Sequence, residues 1–473
     1  MLTTSLLFFH YSVILIVEDR YMKNNWDKYN EKELNDLMKL GNTYKEFITS
    51  CKTERECASY IIARAEEAGF KNLDDVTSLV KGDKVYLSNR GKSVALFVIG
   101  EENINNGINI LGAHIDSPRL DLKLHPLYEE ENLAYLDTHY YGGIKKYQWV
   151  TIPLALHGVV IKKDGSKIKI NIGEDLTDPV LGITDLLIHL AKDQMKKTAS
   201  LVVTGEDLDV LVGSKSLKGE EKEAVKKNVL AILKDKYDIE EEDFISSELE
   251  VVPAFPARDL GFDRSMVMGY GQDDRSCSYA CLEAMLKVTN PRKTTCVIFT
   301  DKEEIGSMGS TGMDSHFFVN TVADICLLLD EKEGVYRKVL SNSKMLSCDV
   351  TAGYDPLYKS ASNKNNEAYL GGGLAFCKYT GSGGKGGSSD ANAEFVATLR
   401  NIMDNNNITY QFGELGKVDQ GGGGTIAYIL ANYNVEVIDC GLPVLSMHAP
   451  YEVTSKLDLY ESYKGYIAFL EEA

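Results

Sequence analysis

The sequence predicts an α/β fold, a mixed sheet with flanking helices, interrupted by a smaller strand-rich unit. Apolar, β-branched runs such as residues 297–299 alternate with amphipathic helical stretches near both ends of the chain. Between about residues 120 and 252 that alternation gives way to short strand-like segments. At 473 residues the chain is also too long for one ordinary core, so at least two domains are expected.

Composition narrows the function. Hydrophobic residues at 44% and charged residues at 26% are ordinary for a globular protein, which argues against disorder and against a multi-span membrane protein. A formal net charge of −19 opposes nucleic acid and anionic membrane as partners. Nine cysteines without a Cys-x-x-Cys pair point to reduced thiols and a cytoplasmic setting rather than a disulfide framework or a cysteine-based zinc site. Residues 6–17 are apolar, but no Lys or Arg precedes them and no small-residue cleavage site follows, and the run is too short to span a bilayer. Residues 1–21 are therefore expected to be an upstream extension, with Met22 as the natural start.

From Glu31 the pattern is helical, with Leu34, Leu37, Met38, Tyr44 and Phe47 near one face. A second amphipathic helix follows Thr53 and ends at Gly69. Residues 94–99 and 108–111 read as consecutive strands joined by an Asn-rich turn, the second running into Gly-Ala-His114-Ile-Asp116. In the middle unit, segments 149–156, 158–161, 167–172 and 201–203 read as strands, and 184–195 and 219–236 as helices. After Pro256 the α/β pattern resumes. A short strand over 266–268 leads through Asp273-Asp274 into a helix carrying Cys277 and Cys281 on its buried face. Strands are expected over 297–299, 325–329 and 437–444.

The chemistry lies at strand ends. Glu303 and Glu304 follow the strand-like run 297–299, and neighbouring acids there repel unless something positive lies between them or one holds a proton. Alone, Asp-Lys-Glu-Glu is ordinary surface composition, a lone His is more often structural than a ligand, and Asp-Asp at a helix start can be only a cap. Together, His114, Asp273, Glu303, Glu304, Asp349 and His448 make the inventory a pair of divalent metals requires: one His and one terminal carboxylate per ion, a bridging carboxylate, and a free carboxylate as base. Asp116, two residues beyond His114, is placed to orient it.

These motifs, His114-Ile-Asp116-Ser-Pro-Arg, Gln-Asp273-Asp274-Arg, Asp-Lys-Glu303-Glu304-Ile-Gly-Ser, Ser-Cys-Asp349 and Ser-Met-His448-Ala, resemble those of the aspartyl aminopeptidase family of dinuclear zinc aminopeptidases. The resemblance extends to the Gly-rich stretch 381–395 and to Asp185-Leu-Leu-Ile-His189-Leu. It implies a zinc-exopeptidase fold over 22–120 and 256–473, with a dimerisation domain inserted at 121–255, and assembly into homo-oligomeric dodecamers. It implies two zinc ions divided between His114, Glu304, Asp349 and His448, bridged by Asp273, with Glu303 as general base on peptide substrates. It further implies that His189 reaches a neighbouring subunit's site. Preference for N-terminal Asp or Glu needs a cation, for which Lys385 in the Gly-rich loop is the candidate; a neutral N-terminal residue is the other possibility. The alternative reading is a related dinuclear hydrolase acting on N-acyl amino acids or as a carboxypeptidase.

Overall fold

The computed structural model describes residues 25–473, so the apolar run 6–17 and the expected start at Met22 lie outside the described residues. Two capped helices open the fold. Asn30 and Glu33 form a reciprocal capping box for Glu31–Ser50, and Thr53 and Glu56 do the same for Glu54–Glu67. Each box satisfies N–H groups that the first helical turn leaves unpaired.

The main sheet has nine strands. From edge to edge they are Lys71–Asn72, Lys84–Asn89, Ser93–Val98, Thr294–Thr300, Ile108–His114, Lys344–Cys348, Glu436–Gly441, Leu374–Cys377 and Tyr410–Phe412. The four strands from Thr294–Thr300 to Glu436–Gly441 run parallel to one another, so their carboxyl ends share one edge. Both faces of this sheet are covered, which explains the continuous apolar runs. Val94, Leu96 and Val98 enter one core with Tyr44, Phe47, Leu282 and Phe469, while Ala95, Phe97 and Ile99 enter the other with Phe318, Val322 and Leu430. Period-2 alternation thus separates two helical layers.

A six-stranded sheet is built within residues 119–253, in the order Lys167–Ile172, Leu154–Ile161, Ser247–Pro253, Arg119–Glu130, Leu133–Tyr141, Val210–Gly213. It has its own core around Trp149, Leu120, Leu136 and Val251. A five-stranded sheet joins Arg258–Leu260, Met266–Gly269, Glu452–Ser455, Pro443–Leu445 and Thr351–Ala352.

Several local expectations are corrected. Residues 325–329 are not a strand; they end the helix Phe317–Leu328, where Phe318, Val322 and Ile325 recur at helical spacing against the sheet. A five-residue apolar run looks the same in either state until its partner is known. Residues 201–203 fall mostly in a short helix, Ala199–Val202, and Trp149 enters its core from a turn, the strand beginning only at Leu154. Residues 184–187 have no regular structure and 188–193 form turns that run into the 3-10 stretch Gln194–Lys196, with Leu186, Leu187, Ile188 and Leu190 exposed. Among the described residues nothing covers that apolar stripe, so the packing that stabilises most short helices is missing there. The strands at 93–98 and 108–114 are not neighbours, because Thr294–Thr300 lies between them.

Candidate active site

Parallel register brings the candidate residues together. His114 closes its strand opposite Thr300, Glu303 and Glu304 follow in a 3-10 turn, Asp349 follows Cys348, and His448 follows the strand Pro443–Leu445. Asp273 arrives at the start of the helix Gln272–Lys287, across a cis peptide to Asp274. The result is a symmetric frame. Asp273 Oδ1 lies 3.1 Å from His114 Nε2, and Asp273 Oδ2 lies 3.1 Å from His448 Nε2. Asp349 Oδ1 is 3.8 Å and Glu303 Oε2 3.9 Å from His114 Nε2, and Glu304 Oε2 is 3.6 Å from His448 Nε2.

Buried hydrogen bonds hold this frame from behind. Asp116 is fully buried, its Oδ1 3.3 Å from His114 Nδ1, and its two oxygens accept the backbone N–H groups of Glu303 (3.1 Å) and Glu304 (3.2 Å). Asp116 therefore fixes the acidic turn as well as the imidazole. Glu452 accepts the N–H groups of Asp273 (3.1 Å) and His448 (2.7 Å). Ser117 Oγ donates to the Asp273 carbonyl and Ser278 Oγ to that of His114.

The electrostatics are those of crowded anions. Burial, reinforced by Asp273, lifts the Glu303 carboxyl to about 7, and lifts Glu304 and Asp349 well above the usual carboxylate range. On the two histidines burial opposes charge, but their carboxylate partners outweigh it and hold both pKa values above the ordinary imidazole value, His448 at about 10. Such a cluster requires positive charge at its centre. The donor set fits divalent metal, since the ligand atoms of His114, Glu303 and Asp349, and likewise of His114, Asp273 and Glu304, lie within 4.8 Å of one another. Glu304 Oε1 is also buried without a hydrogen-bond partner. Nitrogen and carboxylate donors in this number suit zinc.

The cluster forms one wall of a cavity of about 500 Å³, lined further by Val350, Tyr379, Leu415, Thr425, Tyr428 and Met447. Two other sequence candidates lie elsewhere. His189 is exposed on a turn of the 119–253 unit. Lys385 is outside the cavity lining, with Nζ 2.8 Å from Asp390 Oδ2 and 3.5 Å from the ring centre of Tyr379. Sequence reasoning missed Glu452 and Tyr141, whose hydroxyl donates to Asp116 Oδ2 at 2.8 Å. Glu452 stands four residues after His448 and was findable; nothing local marks Tyr141.

The chain matches the family model described as aminopeptidase I zinc metalloprotease (M18) over residues 47–470. It is 58% identical over 454 residues to a probable M18 family aminopeptidase 1 of Clostridium acetobutylicum, covering 95% of this chain and 98% of that relative. The crystal structure of aminopeptidase I from the same organism superposes with a TM-score of 0.89 at 57% identity, covering 95% of this chain and 98% of the other. That of the M18-family aminopeptidase of Thermotoga maritima does so with a TM-score of 0.92 at 45% identity, covering 95% and 99%. Among the described residues no helix is long and apolar enough to cross a membrane. The chain belongs to the M18 family of zinc aminopeptidases, which are exopeptidases that hydrolyse peptides.

Proposed function

We propose that this protein removes the N-terminal residue of peptides at a site built for two zinc ions. One would be held by His114 and Asp349, the other by His448 and Glu304, with Asp273 shared. The observation that carries this reading is the pair of 3.1 Å contacts from the two oxygens of Asp273 to two different imidazoles. Bound metal supplies Lewis acidity that lowers the pKa of water and polarises the peptide carbonyl. Glu303 accepts the proton of the attacking water and returns it to the departing amine. Its carboxylate stands beside the proposed ligands without being one of them, 3.9 Å from His114 Nε2, which leaves it free to move that proton. Asp116 keeps His114 and the Glu303-Glu304 turn in place while the base changes protonation.

The same reading assigns residues 121–255 to oligomerisation, up to a dodecamer, with His189 presented to a neighbouring copy's site. Exposed Leu186, Leu187, Ile188 and Leu190 around it support that assignment. Nine free, buried thiols support a cytoplasmic setting. Preference for N-terminal Asp or Glu is assigned to Lys385, whose ammonium lies over Tyr379 of the cavity wall and would exchange Asp390 for the substrate carboxylate.

The test is elemental analysis together with kcat/KM on Asp-, Glu- and Leu-initiated peptides, free and N-acetylated, for the parent and Lys385→Ala. Two metals per chain and cleavage of free peptides alone are expected, with Lys385→Ala losing activity selectively on the acidic substrates. Cleavage of the acetylated peptides would reject the aminopeptidase reading. An unchanged Asp-to-Leu ratio would reject the role of Lys385.

A further inference from the structure

Three consecutive residues at the end of one strand of the six-stranded sheet reach both halves of the metal site. Tyr141, the last residue of the strand Leu133–Tyr141, donates its hydroxyl hydrogen bond to Asp116 Oδ2 at 2.8 Å. That carboxylate stands behind His114 and holds the N–H groups of Glu303 and Glu304. Two residues on, the Gly143 carbonyl accepts the Nδ1–H of His448 at 2.8 Å. Between them Gly142 adopts a φ of +76°, and a Cβ there would stand 3.3 Å from Glu304 Oε2, so the backbone passes directly against the acidic turn.

We propose that Tyr141 is a positioning residue for the metal site, and that the 141–143 segment makes the geometry of both imidazoles depend on the six-stranded sheet. The proposal rests on the two-metal reading above. Which ring nitrogen of an imidazole offers its lone pair is set by the hydrogen bond the other one makes. With Nδ1–H of His448 committed to Gly143, Nε2 is free to face Asp273. His114 is held likewise, with Nδ1 3.1 Å from the Asp116 carbonyl. Asp116 can serve His114 and two backbone donors at once only if its carboxylate is held in one rotation, and the Tyr141 hydroxyl fixes the remaining side. The Tyr141 ring is itself clamped. The Arg119 guanidinium lies 3.9 Å from its centre and pairs with Asp121 (2.8 Å) and Glu250 (3.2 Å), both in the six-stranded sheet. The hydroxyl therefore takes its position from that sheet rather than from the loop that follows it.

Tyr141→Phe tests this, because it keeps the ring beneath Arg119 and removes only the hydroxyl. Full-length parent and variant are stripped of metal and titrated with Zn²⁺ alone in chelator buffer. The visible spectrum of the Co²⁺-loaded forms and the melting temperature of the metal-free forms are recorded alongside. The expected result is a zinc dissociation constant raised about 10- to 100-fold, the range seen when an outer partner of a metal ligand is lost. The Co²⁺ bands should shift while the metal-free melting temperature stays unchanged. Tyr135→Phe, on the same strand with its ring stacked 5.5 Å from Tyr128, should bind zinc as the parent does. A zinc dissociation constant within about threefold of the parent, or a loss of affinity matched by an equal loss of metal-free stability, overturns the positioning role. A parent that binds no zinc overturns the two-metal reading, and the proposal with it.

Discussion

Replacing Glu303 with Gln separates a base from a ligand. The two side chains have nearly the same volume, and the Glu303 N–H to Asp116 bond is a backbone contact that survives the change. Both 3.1 Å contacts of Asp273 also remain, so the residues proposed to hold metal are untouched. What disappears is a carboxylate at the cavity wall able to take and release a proton. Loss of a positioned general base costs about 10²- to 10⁴-fold in rate. At 1.36 kcal/mol per decade that is about 2.7 to 5.4 kcal/mol of barrier. The assay is kcat at saturating peptide, with zinc content measured on the same preparation. Full zinc with kcat reduced by at least a hundredfold is expected. Asp273→Ala provides the contrast, because it removes the one carboxylate that faces both imidazoles and should lose zinc together with activity. Near-normal kcat in Glu303→Gln refutes the base assignment. Zinc loss in that variant refutes it differently, by making Glu303 a ligand.

If His189 serves a neighbouring copy's site, separating the assembly into folded, zinc-loaded subunits should lower kcat by about 10²-fold, the loss typical of one transition-state donor. Full activity per separated subunit, read by sedimentation and kinetics on one sample, contradicts that. A pH effect is expected at the contact between the Glu54–Glu67 helix and the six-stranded sheet, where His157 is buried between Glu56 (3.0 Å) and Glu174 (2.9 Å). Burial opposes its charge, but the two carboxylates prevail and hold its pKa above the ordinary 6.5. The stabilisation is thus complete below about pH 6.5 and fades as pH rises through the raised folded value. The unfolding free-energy gap between the parent and His157→Gln should shrink across that window by up to about 1.4 kcal/mol per pH unit. A gap that stays constant in urea titrations from about pH 6 to 9 would show that His157 carries no proton on folding.

The sequence by itself determined the parts whose cause is local. The helix starts at Glu31 and Glu54 follow from Asn30 and Thr53 with an acid three residues on, a capping pattern complete within four positions. The strands Ser93–Val98 and Thr294–Thr300 follow from apolar runs buried on both faces, and a strand end is where a ligand-bearing residue is expected. Hence His114, Glu303, Glu304 and His448 were legible at the ends of expected strands, and Asp273 at the turn after another, before any pairing was known, whereas the strand Lys344–Cys348 that carries Asp349 was not anticipated.

Only the tertiary structure decided what depends on a partner remote in the chain. Residues 325–329 became helix because the neighbouring sheet face takes Phe318, Val322 and Ile325 at helical spacing, a preference that resides in the sheet. Residues 184–195 lack their expected helix, and among the described residues nothing covers their leucines. The order of the central strands places a strand from residue 294 onward between two that are close in sequence, since pairing is chosen by burial and not by loop length. Tyr141 and Gly143 come to the site from a different sheet, through hydrogen bonds to Asp116 and His448 that span 25 and 305 positions. Hydrogen bonds act over a few ångströms whatever the sequence separation, so only the folded chain could bring those groups together.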